Sequence, residues 1–271
     1  MSETSYQPLA GKVVVITGAA GGMGISIATL MAEQGAVLAL LDRDEDRLNQ
    51  TTSNLRTAGA VCEPIVCDLG EPSQIENAAA FAESKFGAVD VLVNNAGILP
   101  RAEGLETLSP ETWDLMFKIN VRAPFLCAQH FCKSMLKRGS GSIVNVASIA
   151  AKLPNSHGAY SATKAAVVAL TRQMAVEWGP RGLRANSVSP GMILTPMTQA
   201  VYEDRDVLNL RAGAVASRRI GQSSDIANAI AWLSSDQAAY VNGQNIEVDG
   251  GFGLTALMRM QPKDLQPQPP Y

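Results

Sequence analysis

The chain has few aromatic residues and no excess of positive charge. Only 5% of its 271 residues are aromatic, and its formal net charge is -3 at pH 7. Nucleic-acid-binding domains usually present a basic surface, and single-strand binders add aromatic side chains for base stacking. We therefore expect no nucleic-acid partner.

Long apolar runs are also missing. A membrane-spanning helix needs roughly 20 apolar residues, and no segment of the chain approaches that length. The first residues lack the basic, apolar and cleavable regions of a secretory signal peptide. The sequence therefore predicts a soluble, cytoplasmic protein with no membrane partner.

Cysteine is scarce, and its spacing does not indicate a metal site. Cys62 and Cys67 are five residues apart, as are Cys127 and Cys132. This spacing matches neither zinc-ligand motifs nor the disulfide frameworks of short secreted domains. We expect reduced cysteines in the core and no bound metal.

What the sequence does contain is a glycine-rich turn after an apolar strand. The β-branched run Val13–Thr17 leads into Gly18-Ala-Ala-Gly-Gly-Met-Gly24, and a helix with an apolar face follows. Backbone N–H groups in such a turn can approach a pyrophosphate closely at the helix N-terminus. The glycine spacing departs from G-x-G-x-x-G, so this turn alone supports nucleotide binding only weakly. The predicted cofactor-binding residues here are Gly18, Gly22, Met23 and Gly24.

The next strand-like run ends at Asp42. A carboxylate at this position can accept hydrogen bonds from both ribose hydroxyls, and it repels a 2′-phosphate. Asp42 therefore favours NAD over NADP. The adjacent Arg43 keeps NADP open, because a guanidinium beside the ribose could bind the phosphate.

Seven strand-like runs alternate with helix-length segments. This alternation predicts an α/β fold, a single domain with a doubly wound parallel sheet of about seven strands flanked by helices. Ligands of such sheets bind beyond the carboxyl ends of the strands, where the candidate residues fall. The runs are Val13–Thr17, Ala36–Leu41, Val61–Cys67, Val89–Val93, Ser142–Val146, Arg184–Val188 and Asn245–Val248.

Tyr160 and Lys164 are four residues apart, and Ser148 lies twelve residues upstream of the tyrosine. On a helix this spacing places the Lys164 ammonium close to whatever binds beside Tyr160. At about 4 Å and an effective dielectric near 20, a unit charge contributes roughly 4 kcal/mol, enough to lower the pKa of Tyr160 by about 2 to 3. The pattern predicts a tyrosine that acts as a base near neutral pH, with a chance surface contact as the alternative.

Five ordered motifs resemble the signature of the classical short-chain dehydrogenase/reductase family. The resemblance extends over about residues 9–253 and implies a Rossmann-type fold, an NAD(P)-dependent oxidoreductase of small-molecule alcohols and ketones, and a homotetramer. The motifs are Thr17-Gly-Ala-Ala-Gly-Gly-Met-Gly24, Asn94-Asn-Ala-Gly97, Ser148, Tyr160-Ser-Ala-Thr-Lys164 and Pro190-Gly191.

The resemblance also implies four catalytic residues. Tyr160 would take the alcohol proton, Lys164 would keep the phenol acidic and hold the nicotinamide ribose, and Ser148 would hold the substrate oxygen. Asn120 resembles the residue that anchors a water between the lysine and solvent. A local helix irregularity before Pro124 is the alternative interpretation of Asn120.

Further cofactor contacts follow from the same resemblance. Asp68 resembles the adenine contact, with a helix N-cap near Pro72 as its alternative. Thr195 resembles the contact to the nicotinamide carboxamide, with helix capping as its alternative. The remaining implied cofactor residues are Leu69, Asn95, Ala96, Gly97, Pro190, Gly191 and Ile193.

The sequence predicts one domain, residues 1–253, followed by a tail, residues 254–271. The segment 192–220 is long for a connection and resembles a substrate lid. Beyond Ser148 and Tyr160, the predicted substrate residues are Leu153, His157 and Met192, and Met197 is expected to add apolar surface.

These observations predict an NAD-dependent enzyme that oxidises a secondary alcohol, such as a polyol, sugar, hydroxy acid or cyclic alcohol, to the ketone. The first alternative is an NADPH-dependent reductase of 3-oxoacyl groups on acyl carrier protein, which shares every motif except the preference implied by Asp42. The second alternative is a nucleotide-sensing or scaffold protein that keeps the fold without catalysing a reaction. This alternative leaves the joint presence of Ser148, Tyr160 and Lys164 unexplained.

Overall fold

The computed structural model describes residues 7–196 and 198–260, and its centre is a seven-stranded parallel sheet. The predicted fold class is confirmed. Two further strands of two residues each, which the sequence did not predict, form a separate small ladder. In chain order the strands are β1 Val13–Thr17, β2 Val37–Asp42, β3 Val61–Val66, β4 Val91–Asn94, β5 Gly141–Val146, β6 Leu183–Pro190, β7 Ile193–Leu194, β8 Gly221–Gln222 and β9 Asn245–Val248.

Helices cover both faces of the sheet, because both faces of its strands are apolar. In β1, Val14 and Ile16 belong to one core cluster, and Val13 and Val15 belong to the other. This alternation is the period of two that a strand imposes on its side chains. The helices are α1 Gly22–Glu33, α2 Glu45–Thr57, α3 Pro72–Phe86, α4 Pro110–Phe117, α5 Ala123–Phe131, α6 Lys133–Arg138, α7 Tyr160–Trp178, α8 Gln199–Glu203, α9 Arg205–Ala214, α10 Ser223–Ser234 and α11 Ala256–Arg259.

The strand order β3-β2-β1-β4-β5-β6-β9 reverses direction at β1. The chain moves from β1 outward to β2 and β3, then returns to place β4 on the other side of β1. In doubly wound sheets the connections beyond this reversal separate and open a crevice at the carboxyl ends of the strands. The glycine turn after β1 and the Asn94–Gly97 segment after β4 both border it.

The proposed lid is a closed loop. Its base is the β7–β8 ladder, where Gly221 N also donates to Met192 O at 2.9 Å. At its far end, Thr255 Oγ1 donates to Ala214 O at 3.0 Å, which ties the segment after β9 to the end of α9. Met197 and the tail residues 261–271 lie outside the described part of the chain.

Within the described ranges, no helix combines the length and apolar character needed to cross a membrane. All four cysteines are free and buried, as predicted. Burial raises the pKa of the Cys67 thiol to about 11, so it stays protonated at neutral pH.

Candidate active site

The crevice contains a cavity of about 390 Å³ at the switch point of the sheet. Twelve of the predicted cofactor residues line it, so the structure brings residues from five separate segments together. These twelve are Gly18, Gly22, Met23, Gly24, Asp42, Arg43, Asp68, Leu69, Asn95, Ala96, Gly97 and Thr195.

The glycines of the first turn lack side chains for steric reasons. Gly18 has a φ of +66°, and a Cβ on it would lie 2.9 Å from Ala96 Cα. A Cβ on Gly22 would lie 2.7 Å from Pro196 Cδ, and one on Gly24 would collide with Gly18 O. The turn is therefore packed closely against the Ala96 backbone and the Pro196 side chain, and the cavity wall has no side chains at these three glycines.

Asp42 is held against this turn by two backbone donors. Its Oδ2 accepts from Ala20 N at 3.0 Å, and its Oδ1 accepts from Asp44 N at 3.1 Å. Each carboxylate oxygen has a second acceptor position. Asp44, rather than Asp42, is the N-cap of α2, since its side chain accepts from Arg47 N. Asp42 is thus free for a ligand in the way the sequence predicted.

Two arginines share this end of the cavity, although the sequence singled out only one. Arg43 and Arg47 both line the cavity and are exposed, and Arg47 pairs with Asp44 at 3.3 Å. Arg43 and Arg47 are four residues apart, and the helical turn that begins after Asp44 brings them to the same end of the cavity. The sequence already contained this spacing as a signal. The other lining residues that sequence reasoning missed are Ala20, Gly21, Asp44, Cys67, Ile98 and Ile119.

Asp68 lies in the cavity wall but does not cap α3. Its Oδ1 accepts from Gly70 N at 2.8 Å, while the N-cap of α3 is Glu71. The capping alternative for Asp68 is therefore wrong. Thr195 is fixed from the other side, with its N–H donating to Thr198 Oγ1 at 2.9 Å.

Asn95 fastens the β4 end to the glycine turn. Its Nδ2 donates to Thr17 O and Gly18 O, both at 3.0 Å. Among the described residues, its buried Oδ1 has no hydrogen-bond partner. A buried acceptor beside the cavity that is left unpaired is a position where a bound ligand can donate.

The four residues predicted to be catalytic lie close together beside this cavity. Tyr160 begins α7 and forms a hydrogen bond with Ser148, which follows β5. Lys164 Nζ lies 5.7 Å from the centroid of the Tyr160 ring and donates to Val146 O at 2.9 Å. Gly97 joins this group to the cavity, because a Cβ on it would lie 3.3 Å from both Lys164 Nζ and Asn120 Oδ1.

The protonation of this pair differs from the prediction. Burial raises the pKa of Tyr160, and the hydrogen bond from Ser148 only partly opposes this effect. Burial also lowers the pKa of Lys164 to about 8, because the ammonium is desolvated. The predicted direction of the Tyr160 pKa shift is therefore wrong for the chain by itself, because desolvation of the buried phenol is the largest effect on its pKa.

The helix irregularity that the sequence left open for Asn120 is present, and the catalytic role stays a prediction. Asn120 lies in a π-helical turn, Lys118–Arg122, between α4 and α5, so the local helix is irregular as the alternative required. Its side chain is also turned towards the site, where Oδ1 accepts from Ile98 N at 2.8 Å. Such π-turns often occur at functional sites.

Several predicted residues lie away from the main cavity. Met192 and Ile193 line a second cavity of about 210 Å³ behind the lid base. Gly191 packs against Asp249, and Pro190 is buried at the end of β6. The structure thus places these four residues beside the lid rather than in the wall of the main cavity.

The segment between Ser148 and Tyr160 carries two of the predicted substrate residues, Leu153 and His157. Leu153 approaches the turn after β9, where a Cβ on Gly253 would lie 3.7 Å from Leu153 Cδ1. His157 O accepts from Tyr160 N at 2.9 Å, and the buried His157 Nδ1 has no partner among the described residues. Both residues therefore lie on the segment that connects the two catalytic side chains.

The residues present fit a nicotinamide dinucleotide. The side-chain-free cradle at Gly18, Gly22 and Gly24 admits a pyrophosphate, and Asp42 offers acceptors where an adenosine ribose would lie. The unpaired Asn95 Oδ1 offers a further acceptor. Lys164 lies at the opposite end of this series of residues from Asp42, beside Gly97.

Comparison with known proteins agrees with this fit. A family model described as "Enoyl-(Acyl carrier protein) reductase" matches residues 18–253. The human protein "Dehydrogenase/reductase SDR family member 4" is 33% identical over 249 residues, which cover 92% of this chain and 90% of the relative.

Two solved structures add cofactor complexes. A gluconate 5-dehydrogenase from Burkholderia cenocepacia, in complex with NADP and tartrate, superposes with a TM-score of 0.86 at 33% identity, covering 92% of this chain and 98% of that one. A 7 alpha-hydroxysteroid dehydrogenase complexed with NADH and 7-oxo glycochenodeoxycholic acid gives a TM-score of 0.86 at 33% identity, covering 93% and 98%. The chain therefore belongs to the short-chain dehydrogenase/reductase family and is an oxidoreductase.

Proposed function

We propose that this protein oxidises a secondary alcohol to the ketone, reversibly, with NAD as cofactor and Tyr160 as the base. The observation that carries the proposal is the grouping of Tyr160, Ser148 and Lys164 at the open end of a dinucleotide-shaped crevice. Nothing in the packing of the sheet requires these three polar side chains together.

When bound, NAD supplies the hydride acceptor for the carbinol carbon. The chain holds it through the glycine turn at the pyrophosphate, Asp42 at the adenosine ribose and Asp68 with Leu69 at the adenine. Asn95, Ala96 and Gly97 would line its middle, and Lys164 the nicotinamide ribose. Pro190, Gly191 and Ile193 support the segment from which Thr195 would reach the carboxamide.

The proton leaves the alcohol through Tyr160. Its phenolate oxygen accepts the hydroxyl proton as the carbon loses hydride, so the alcohol loses one hydride and one proton, or two electrons and two protons in all. Ser148 donates a hydrogen bond to the substrate oxygen and keeps it beside the phenol. A phenol with a raised pKa stays protonated at neutral pH and cannot accept a proton, so the mechanism requires the cationic Lys164 and a cationic nicotinamide to lower the pKa of Tyr160 in the complex.

Changing Tyr160→Phe tests this mechanism. We expect NADH binding within about twofold of the wild type and a loss of about a thousandfold or more in turnover, because the ring stays and only the proton acceptor is removed. Turnover that survives in Tyr160→Phe, with wild-type cofactor binding, would exclude Tyr160 as the base.

The choice of NAD rests on Asp42. Its carboxylate is fixed by Ala20 N and Asp44 N, so it cannot swing away from a 2′-phosphate without losing both bonds. Fluorescence titration with NADH and NADPH should show tighter NADH binding by about tenfold, or about 1.4 kcal/mol. Asp42→Asn should remove most of this preference. Asp46→Asn, which removes the same charge from an exposed position of α2 outside the cavity lining, should leave the ratio of the two dissociation constants within about twofold.

The substrate proposed here is a small alcohol bearing further polar groups, such as a polyol, sugar acid or cyclic alcohol. On the segment between Ser148 and Tyr160, Leu153 would supply an apolar contact and His157, whose buried Nδ1 has no partner among the described residues, a polar one. We would measure NAD reduction with gluconate, xylitol and cyclohexanol. If NAD is reduced with none of these three alcohols, this substrate class is excluded.

A second function has a specific observation in its favour. Arg43 and Arg47 both line the ribose end of the cavity, and the matching family model carries an acyl-carrier-protein reductase description. These features fit an NADPH-dependent reductase of 3-oxoacyl groups. NADPH oxidation by acetoacetyl-coenzyme A, together with tighter NADPH than NADH binding, would favour this function over the first.

A further inference from the structure

Thr163 has a hydroxyl at the centre of the catalytic group. It lies between Tyr160 and Lys164 on α7 and is fully buried. Its Oγ1 donates to Tyr160 O at 2.7 Å and accepts from Asn120 Nδ2 at 3.2 Å. One hydroxyl therefore links the first turn of α7 to the π-helical turn.

The polar atoms of the Asn120 amide all have hydrogen-bond partners only because Thr163 Oγ1 accepts one of its hydrogens. Its Oδ1 accepts from Ile98 N at 2.8 Å, and one Nδ2 hydrogen is donated to Ile98 O at 3.0 Å. Thr163 takes the second Nδ2 hydrogen. Asn120 is 1% exposed, so without the hydroxyl this hydrogen would be buried and unpaired, which favours rotation of the amide.

Rotation of this amide would reach the catalytic lysine. Gly97 lies between the two groups, because a Cβ on it would meet both Asn120 Oδ1 and Lys164 Nζ at 3.3 Å. The Ile98 backbone, which Asn120 clamps, forms part of the wall of the main cavity. A moved Asn120 would thus displace the backbone facing both Lys164 and a bound cofactor.

We propose that Thr163 is a positioning residue for the proposed dehydrogenase reaction, on which this inference rests. Its hydroxyl fixes the Asn120 amide against Ile98, and this keeps Lys164 and Tyr160 in the geometry that proton transfer needs. No contact between Thr163 and substrate or cofactor is involved.

The same helix carries a matched control. Thr171, two turns further along α7, is also fully buried, donates to Val167 O at 2.7 Å and accepts from Asn145 Nδ2 at 2.9 Å. This threonine–asparagine pair has the same bonding but lies within the sheet, where Asn145 Oδ1 accepts from Asn94 Nδ2. Removing either hydroxyl costs one buried amide partner, and only Thr163 bonds Asn120, which holds the Ile98 segment of the cavity wall.

The experiment compares Thr163→Val, Thr163→Ser and Thr171→Val in the full-length protein. Steady-state kinetics use the best substrate among gluconate, xylitol and cyclohexanol, and urea unfolding gives stability. We expect Thr163→Val to lower kcat by about tenfold or more with KM for NAD within about twofold. Thr163→Ser should restore kcat to within about threefold of wild type, and Thr171→Val should keep it within about twofold. The two valine variants should lose similar stability.

Equal losses of kcat in Thr163→Val and Thr171→Val, or no rescue by serine, would overturn the proposal. If Thr163→Val does not fold, Thr163→Ala takes its place in the comparison. In that case, a kcat of Thr163→Ala equal to that of Thr163→Ser would overturn the proposal. The Tyr160→Phe variant distinguishes failure of the proposed function from failure of the role proposed for Thr163. An active Tyr160→Phe protein contradicts the proposed function itself, whereas an inactive one beside a fully active Thr163→Val contradicts only the role of Thr163.

Discussion

Replacing Lys164 with methionine should stabilise the protein at neutral pH while removing its activity. Lys164 is 4% exposed, and its burial lowers its pKa from 10.5 to about 8. At about 1.4 kcal/mol per pKa unit, keeping this lysine charged in the fold costs about 3 kcal/mol. Methionine removes that cost and fills a similar volume, but it leaves Val146 O without its donor, at about 1 kcal/mol. The expected net gain at pH 7 is about 1 to 2 kcal/mol, or roughly 2–8 °C in Tm.

The pH dependence of this gain is the sharper test. Because the folded pKa lies below the unfolded one, the unfolded state binds more protons between about pH 8 and 10.5, and wild-type stability rises with pH across that window. Below about pH 8 both states are protonated and the penalty is constant. The advantage of Lys164→Met should therefore shrink by about 3 kcal/mol between pH 8 and 10.5.

Urea unfolding followed by tryptophan fluorescence would measure this difference at fixed protein concentration. Titrating groups that do not contact Lys164 are common to both proteins and cancel in the difference, and a Tyr160→Phe background removes the titrating neighbour, Tyr160. Lys137→Met, on an exposed position of α6, is the control and should give a difference that does not change with pH. A stability difference for Lys164→Met that stays constant from pH 7 to 10.5 would refute the desolvated-lysine argument.

Three further predictions follow from the packing. Gly24→Ala should abolish measurable NADH binding, because its Cβ would collide with Gly18 O in the turn that faces the pyrophosphate, and fluorescence titration would detect binding that survives. Leu40→Ala, at a fully buried position in the central sheet, should lower the free energy of unfolding by about 2 to 5 kcal/mol in a urea titration. Light scattering should give four times the chain mass if the expected homotetramer forms, and a monomeric mass at micromolar concentration would contradict it.

Much of this architecture follows from local sequence signals. β-branched runs such as Val13–Thr17 can be buried on both faces only in a sheet covered by helices, so the strands were predictable with errors of about two residues at their ends. The glycine turn and Asp42 were predictable because each follows a strand, and strand ends share one edge of a parallel sheet.

The remaining features depend on contacts between distant segments. The tyrosine pKa was predicted in the wrong direction, because the degree of burial of Tyr160 and Lys164 is set by the packing of α7 against the rest of the fold. The link between Thr163 and Asn120 joins residues 43 positions apart, and no local pattern indicates it. The β7–β8 ladder was missed because strands of two residues carry no periodicity.

That ladder has a consequence for how the family can vary. A backbone hydrogen bond between Gly221 and Met192 closes the base of the lid, and the Thr255 side chain ties Ala214 to the segment after β9, so the rest of the lid can change in length or sequence without moving the sheet. If the lid selects the substrate, as predicted, it can change separately from the cofactor crevice. Exchanging residues 199–220, which leaves Thr195 and Pro196 in place beside the glycine turn, for the equivalent segment of a relative should then change the specificity and keep cofactor binding.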